Sequence, residues 1–465
     1  MQVDYLIVGA GAVGLAFLDT LFSETDATFA IVDRRDAPGG HWNDAYPYVR
    51  LHQSSSFYGV PSRPLGRGRI CDHGYNAGMP ELATKYEILH YYQDLMETVY
   101  LPSGRVQYFP MSEHLGNGRI RSTVSGQETR VNIAKKLVNA GIWGDLTTIP
   151  STHKRSFDVA RDVTCVPPND LPRRASDFDA FTILGAGKTA MDAVLWLLEK
   201  GVAPEQISWV RPNDYWLFHR DNIMPHKDFF MRSMSAQVKE MEALAYAPKV
   251  RDYCLGMENS GRWHRIDPDV WPTKFHAAVC SGAEVDALRT IKDVIRAGHV
   301  RQIKSDRLVL EKGEVAVSQP RLYVDCTAQG GAILPDDSPP VFDADTINLF
   351  MVRPFQPLFS AALIAWLEAH EPNEDIRKGC TLVTNFHNTP AEFLPNQLKG
   401  FANQAMWNQM PELKAWLDRC RLNAATHMME GLKPDDTEKF ALLSQLGPLT
   451  KEAMTNIPRM LAAEV

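Results

Sequence analysis

The chain has 465 residues, of which 45% are hydrophobic and 23% charged, so it is long enough for two or three globular domains. Its formal net charge of -7 offers no basic surface, and we expect no nucleic-acid partner. The seven cysteines include no C-x-x-C pair and the fourteen histidines no H-E-x-x-H pattern. A redox dithiol, an iron–sulfur cluster and a bound metal are therefore not expected.

The first residues, MQVDYLIVGAG, have the pattern of a buried strand rather than of a signal peptide, because they lack a basic segment and a cleavage site. The most apolar long segment, residues 349–367, is interrupted by Arg353 and Gln356, so it is not expected to span a membrane. We expect a cytoplasmic protein without membrane association.

A first nucleotide-binding pattern begins at the first strand. Residues 3–8 form the nearly continuous apolar run of a parallel strand buried on both faces, and a helix is predicted from residue 15. Between them lie Gly9, Gly11 and Gly14. The first glycine permits a tight turn, the second a close approach of a pyrophosphate, and the third close packing of helix on strand.

The pattern continues with a second strand, residues 29–32, which ends on Asp33. A pyrophosphate is expected at the helix N-terminus, where free N–H groups favour an anion. Asp33 lies 24 residues after Gly9 and is predicted to accept hydrogen bonds from a ribose.

The same pattern recurs near the middle of the chain. A strand at 179–184 leads into Gly185 and Gly187, with an alanine in place of the third glycine and a helix behind it. A phosphate-binding P-loop is excluded, because Thr182 stands where that motif requires glycine. The following strand, residues 207–210, ends on Arg211, whose guanidinium suits a 2′-phosphate and favours NADPH over NADH. A solvated surface role for Arg211 is the alternative.

Two dinucleotide folds without a dithiol indicate that one holds FAD and the other supplies hydride from a nicotinamide. The predicted class is α/β, with two Rossmann-like domains for FAD and NAD(P) and a helical C-terminal region. The predicted FAD-binding domain comprises residues 1–170 and 320–400, and the NAD(P)-binding domain residues 175–320.

Several short segments carry a resemblance to a known family. Asp33 is followed after five residues by Gly39-Gly40-His41-Trp42, and residues 46–52 have the sequence YPYVRLH. Residues 85–92 and 185–192 add a helix segment and a G-x-G-x-T-A-x-D pattern. Together they resemble flavin-containing and Baeyer–Villiger monooxygenases, in the soluble bacterial branch.

The resemblance implies that NADPH reduces FAD, that oxygen adds at flavin C4a, and that the resulting (hydro)peroxide transfers one oxygen atom to a small organic substrate. His52 and Gln53 would lie near the isoalloxazine as catalytic residues. The implied FAD contacts are Gly9, Gly11, Gly14, Asp33, Arg34, Gly40, Trp42, Gln53 and Asp325. The implied NADPH contacts are Gly185, Gly187, Lys188, Thr189 and Arg211.

One family signature, F-x-G-x-x-x-H-x-x-x-[YW], is absent before the second pattern. The nearest segment, from Thr147 to Phe157, keeps only His153 and the aromatic residue four positions later. We expect His153 to be an ordinary packed or surface residue. Two alternatives stay open: an FAD oxidase or dehydrogenase with a degenerate second fold, and a non-catalytic dinucleotide-binding protein.

In the rest of the chain, the tail from residue 400 onward carries no catalytic motif. Residues 221–300 are predicted to be a methionine- and tryptophan-rich insertion that is either core or a substrate lid. Residues 321–328 resemble a strand that returns the chain to the flavin domain, and a helix is predicted at 359–367. The tail, 400–465, is predicted to form helices at 411–421 and 437–446 that cap the active site or make a homodimer.

Overall fold

A computed structural model describes residues 1–142, 144, 148–331 and 333–463. The described strands are β1 (Gln2–Val8), β2 (Phe29–Val32), β3 (Gly59–Val60), β4 (Arg63–Pro64), β5 (Val106–Phe109), β6 (Ser112–His114), β7 (Arg119–Ser122), β8 (Glu128–Arg130), β9 (Asn132–Asn139), β10 (Asp158–Val159), β11 (Cys165–Val166), β12 (Phe181–Leu184), β13 (Ile207–Val210), β14 (Tyr215–His219), β15 (Trp263–His264), β16 (Lys274–Cys280), β17 (Val294–Ile295), β18 (Val300–Ile303), β19 (Arg307–Leu310), β20 (Gly313–Ala316), β21 (Leu322–Asp325) and β22 (Thr346–Asn348).

The described α-helices are α1 (Ala12–Glu24), α2 (Lys85–Leu95), α3 (Leu171–Arg174), α4 (Lys188–Glu199), α5 (Phe230–Tyr246), α6 (Val250–Asn259), α7 (Gly282–Leu288), α8 (Pro357–His370), α9 (Glu374–Gly379), α10 (Pro390–Trp407), α11 (Pro411–Arg419), α12 (Ala424–Met429) and α13 (Thr437–Ala462). Among them, no helix is long and apolar enough to cross a membrane.

The first sheet has five parallel strands in the order β22-β9-β1-β2-β5. Its strand β1 is followed by α1, which packs against α8 from the later part of the chain. The sheet therefore combines residues from both ends of the predicted FAD-binding domain, because β22 and α8 close onto the N-terminal strands.

The second sheet also has five parallel strands, in the order β11-β21-β12-β13-β17. The predicted α/β class with two such folds is confirmed. The domain boundaries predicted at residues 170 and 320 do not match the strand pairing. β11 and β21 lie in the predicted FAD-binding domain, but both pair with strands of this second sheet. The apolar pattern of β21 identifies a buried strand, but it carries no information on which sheet the strand joins.

The insertion contributes β15 and β16 to a small sheet, β15-β14-β16, together with β14, which precedes it in the chain; α5 and α6 also belong to the insertion, and α5 packs along α13. Four of its methionines are buried in or beside this core, while Met231 is 41% exposed. This packing favours the core interpretation over a lid. The buried methionines are Met224, Met234, Met241 and Met257.

The last helix, α13, is longer than the predicted helix at 437–446 and contains Pro448 and Pro458. Its buried residues are spaced by four, four and three positions, namely Leu449, Ala453, Ile457 and Met460. This apolar stripe packs on the insertion and stabilises the helix despite the hydrogen bonds that each proline removes.

Candidate functional site

The first glycine turn connects β1 to α1 and leaves no room for side chains. Gly9 has a φ of +112°, in the region that favours glycine. A Cβ on Gly14 would lie well inside 3.0 Å of the Gly9 carbonyl oxygen, so close packing of strand and helix requires glycine there. Because Gly11 caps α1 without a side-chain hydrogen bond, the first N–H groups of the helix are available to an anion.

Asp33, at the end of β2, stabilises this turn by hydrogen bonds. Its carboxylate is 6% exposed and accepts hydrogen bonds from the backbone N–H of Ala10 at 2.7 Å and of Arg35 at 2.9 Å. The predicted contact of Asp33 with a ribose stays a prediction, as does that of Arg34, whose side chain is exposed.

The second glycine turn connects β12 to α4 in the same way. Gly185 has a φ of +113°, and a Cβ there would lie 2.8 Å from the Cys326 carbonyl oxygen. By contrast, apart from its chain neighbours and the backbone of its own helix, no described atom lies within 4 Å of a Cβ added at Gly187. An uncapped helix N-terminus behind an open approach fits the pyrophosphate of a dinucleotide.

Lys188, predicted to contact NADPH, forms an ion pair with Asp192 one turn further along α4. Burial alone would lower the pKa of Lys188, but the carboxylates of Asp192 and Glu284 raise it above its ordinary value. The ammonium is therefore charged and already partnered. Thr189 follows it in the first turn of α4 and is half-buried.

Arg211 lies at the end of β13, as predicted, but the solvated alternative is wrong because the side chain is 3% exposed. Its guanidinium pairs with Asp214 and lies 4.8 Å from the Trp209 ring centroid. Asp214 also pairs with Arg296, at 3.2 Å, whose side chain is 33% exposed. The 2′-phosphate role of Arg211 stays a prediction, and Arg296 is a second guanidinium at the same edge that sequence reasoning missed.

The aromatic segment, residues 39–58, lies against the first glycine turn. A Cβ on Gly40 would lie 2.9 Å from the Gly11 Cα, so the two backbones touch. Trp42 is buried and donates a hydrogen bond from Nε1 to the Tyr58 hydroxyl at 2.6 Å. This contact fixes the indole ring, whose predicted packing against FAD stays a prediction.

The other face of the aromatic segment contacts the second fold, which the sequence did not reveal. Tyr46 donates a hydrogen bond to Asp192 Oδ2 at 2.6 Å. The Tyr48 ring stacks on Trp196 of α4 with centroids 5.3 Å apart. One segment therefore joins both glycine turns.

His52 and Gln53, the predicted catalytic residues, lie in this segment where it meets a buried ion pair. The His52 carbonyl accepts a hydrogen bond from Arg220 Nε at 3.0 Å, and Arg220 pairs with Glu284 at 3.0 Å. Burial, with nearby Lys188 and Arg220, lowers the pKa of His52 to about 3. The imidazole is neutral at pH 7, and the Gln53 side chain is half-buried beside it.

Three partly or fully buried histidines make stability acid-sensitive. Burial lowers the pKa to about 3 for His52 and His264 and to about 4 for His387. Below pH 6.5 the unfolded chain binds protons that the folded chain does not. The free energy of unfolding should therefore fall as the pH is lowered from 6.5 towards 4, by up to about 1.4 kcal/mol per pH unit for each histidine.

Urea unfolding at pH 7, 6 and 5 measures this loss, and His387→Gln should flatten the curve. An unfolding free energy that is constant over this range would contradict neutral buried histidines.

His153, which we expected to be an ordinary packed or surface residue, contacts the end of β21. Its Nε2 lies 3.1 Å from the Thr327 hydroxyl and 4.0 Å from Asp325 Oδ2. Asp325, predicted to contact FAD, ends β21 opposite Leu184 and so lies beside the second glycine turn. Asp325 was predicted to lie in the flavin domain because β21 was expected to join the first sheet, whereas β21 pairs with β12 in the second. Thr147 of the degenerate signature lies outside the described residues.

The Tyr46 hydroxyl links the aromatic segment to α4 by a direct hydrogen bond. Tyr46→Phe should lower the free energy of unfolding by about 1.5–3 kcal/mol, because a hydrogen bond to a half-buried, ion-paired carboxylate is lost. Urea unfolding measures the change, and Tyr86→Phe, at a side chain that is 60% exposed, is the matched control. Equal stability of both variants would contradict the link.

The described residues contain no group of three or more His, Cys, Asp or Glu that could hold a metal ion. Two parallel sheets, each with a glycine turn between strand and helix, define a protein with two dinucleotide-type folds.

The chain is 39% identical over 448 residues to the uncharacterized protein Rv2000 of Mycobacterium tuberculosis and, equally, to the uncharacterized protein Mb2023 of Mycobacterium bovis. The match covers 96% of this chain and 82% of each relative. The chain belongs to the family of these mycobacterial proteins. No protein-family model matches it.

Among solved structures, the open form of cyclohexanone monooxygenase is 13% identical, with a TM-score of 0.49 over 90% of this chain and 99% of that one. A flavin-containing monooxygenase of Stenotrophomonas maltophilia is 14% identical, with a TM-score of 0.44 over 80% and 98%. Bacillithiol disulfide reductase of Bacillus cereus is 12% identical, with a TM-score of 0.45 over 79% and 99%.

Proposed function

We propose that this protein is an FAD-dependent, NADPH-using monooxygenase that inserts one oxygen atom into a small organic substrate. The observation that carries the proposal is the double contact of the aromatic segment. Gly40 lies on the first glycine turn and Tyr46 bonds to the helix of the second. Two dinucleotides held at these turns would meet at one segment.

The first turn, with Gly9, Gly11 and Gly14, would hold the FAD pyrophosphate, and the second, with Gly185 and Gly187, that of NADPH. Bound FAD would accept two electrons from NADPH and pass them to dioxygen, one atom of which goes to the substrate and the other to water. The chain's own residues orient and enclose these groups.

Residues 42–58 suit the exclusion of water from such a site. Trp42, Tyr46 and Tyr58 are buried aromatic side chains, and the neutral His52 adds a polar group without a charge. Reactions of reduced flavin with oxygen need this combination of low polarity and a few fixed hydrogen-bonding groups.

The preference for NADPH depends on the edge formed by Arg211 and Arg296. Asp214 neutralises part of this edge, since it pairs with both guanidiniums. A 2′-phosphate would compete with Asp214 and Asp267 for Arg296, the more exposed of the two guanidiniums. Arg296→Gln is therefore expected to raise the KM for NADPH more than the KM for NADH.

Oxygen transfer is tested by incubating the purified protein with NADPH, ¹⁸O₂ and a panel of amines, thioethers and ketones. Mass spectrometry should find one labelled atom per product molecule, with a matching amount of NADPH consumed. Hydrogen peroxide formed without any labelled product would favour the oxidase alternative. Flavin that binds but does not react with NADPH would favour a degenerate second fold.

A further inference from the structure

A second candidate site lies on the outer side of the aromatic segment. A recessed cavity of about 170 Å³ is formed where the end of this segment meets the loop at 67–81, the start of the insertion and α12. Its lining includes Ser54, Arg69, Glu81, His226, His427 and Glu430. None of these residues belongs to the two glycine turns.

One part of the lining is rich in hydrogen-bond acceptors. Glu81 uses Oε1 for the backbone N–H groups of Arg67 and Arg69, which leaves Oε2 for a ligand. The Nε2 atom of His427 lies 2.6 Å from the carbonyl oxygen of Arg421. Since Nε2 must then carry the proton, Nδ1 is an acceptor. Glu430 adds a second carboxylate, 61% exposed, whose Oε1 lies 3.4 Å from Lys227.

Burial also lowers the pKa of His427, so this imidazole is neutral at pH 7 and keeps its acceptor. An array of two carboxylates and an imidazole nitrogen is suited to the three N–H donors of an ammonium group.

Arg69 supplies the opposite charge. Its side chain is exposed at the cavity and makes no ion pair with the described part of the chain. The planar fork of a guanidinium binds a carboxylate through two parallel hydrogen bonds. The lining therefore offers groups that can bind a positive group and a group that can bind a negative one.

We propose that this cavity binds a small zwitterion, an amino acid or short ω-amino acid whose ammonium faces Glu81, Glu430 and His427 and whose carboxylate faces Arg69. The volume equals that of about six water molecules in the liquid, which suits a ligand of this size. The proposal goes beyond the redox function and needs neither FAD nor NADPH.

The test is isothermal titration calorimetry on the purified full-length protein without NADPH. The probes are glycine, β-alanine and 4-aminobutyrate, with butylamine and butyrate as singly charged references. At least one zwitterion should bind about tenfold more tightly than both references, since each charge-assisted pair adds to the affinity.

Arg69→Gln should reduce the affinity for that zwitterion to that for butylamine, and Glu430→Gln should weaken it about three- to tenfold, less because this carboxylate is more exposed. Arg161→Gln and Glu412→Gln, at exposed positions outside the cavity, are the matched controls and should leave binding unchanged.

The proposal is overturned if no zwitterion binds more tightly than the references, or if Arg69→Gln binds like the wild-type protein. If a preparation without flavin binds a zwitterion, the binding supports this site and the missing flavin counts against the redox function. The two proposals can therefore fail separately.

Discussion

Replacing Arg220 with methionine is expected to lower the free energy of unfolding by about 3–5 kcal/mol, because it leaves a buried carboxylate without its partner. Arg220 is 1% exposed and pairs with Glu284 at 3.0 Å. It also donates hydrogen bonds to the carbonyls of His52 at 3.0 Å and Val279 at 3.4 Å. The substitution therefore breaks contacts that join the aromatic segment to the small sheet β15-β14-β16 and to α7.

Urea unfolding at pH 7 measures the loss. Arg301→Met is the matched control, because Arg301 pairs with Glu311 at 2.7 Å on an exposed hairpin and should contribute less than about 1 kcal/mol. Combining Arg220→Met with Glu284→Gln should restore part of the loss by removing the stranded charge. Stability of Arg220→Met within 1 kcal/mol of the wild type would contradict the role of this pair.

Gly14→Ala is expected to cost about 3 kcal/mol or more and to abolish flavin retention. Its Cβ would lie well inside 3.0 Å of the Gly9 carbonyl oxygen and 3.1 Å from the Ala140 Cβ. A backbone oxygen cannot rotate away as a long side chain can, so β1 and α1 must separate. Thermal unfolding and the flavin-to-protein absorbance ratio measure the two effects.

Gly187→Ala is the contrasting substitution at the second turn. Its φ is -79°, and no described atom lies within 4 Å of the new Cβ, so the fold should tolerate it. The methyl group would nevertheless fill the approach to the helix N-terminus and weaken nucleotide binding. A stable Gly14→Ala protein with full flavin content would contradict the assignment of the first turn.

Local sequence patterns were enough to predict much of the fold. The predicted strands at 29–32 and 207–210 have the same bounds in the structure. Each is a short, mostly apolar run that is followed by a charged residue. The apolar pattern and the charged residue that ends it are enough to place the bounds of such a strand. Gly9, Gly14 and Gly185 were informative for the same reason, since each has a positive φ or a neighbouring atom that leaves no room for a side chain.

Pairing across the chain was not predictable. Arg220 and the His52 carbonyl are 168 residues apart in sequence, and no local pattern connects them. The sheet assignment of β21 depended on whether β12 or β1 lay beside it, which its apolar residues leave open. Arg211 was placed at the right strand end, but its burial depends on Asp214 and Trp209, whose contacts follow from the folded turn.

The central claim is that two dinucleotides meet at the aromatic segment, and anaerobic titration tests it most directly. The protein is purified, supplied with FAD if necessary, and its visible spectrum is recorded while NADPH is added without oxygen. We expect bound flavin whose absorbance is bleached by one equivalent of NADPH, more slowly in Tyr46→Phe. A protein that binds no FAD, or whose bound FAD stays oxidised with both NADPH and NADH, would contradict the claim.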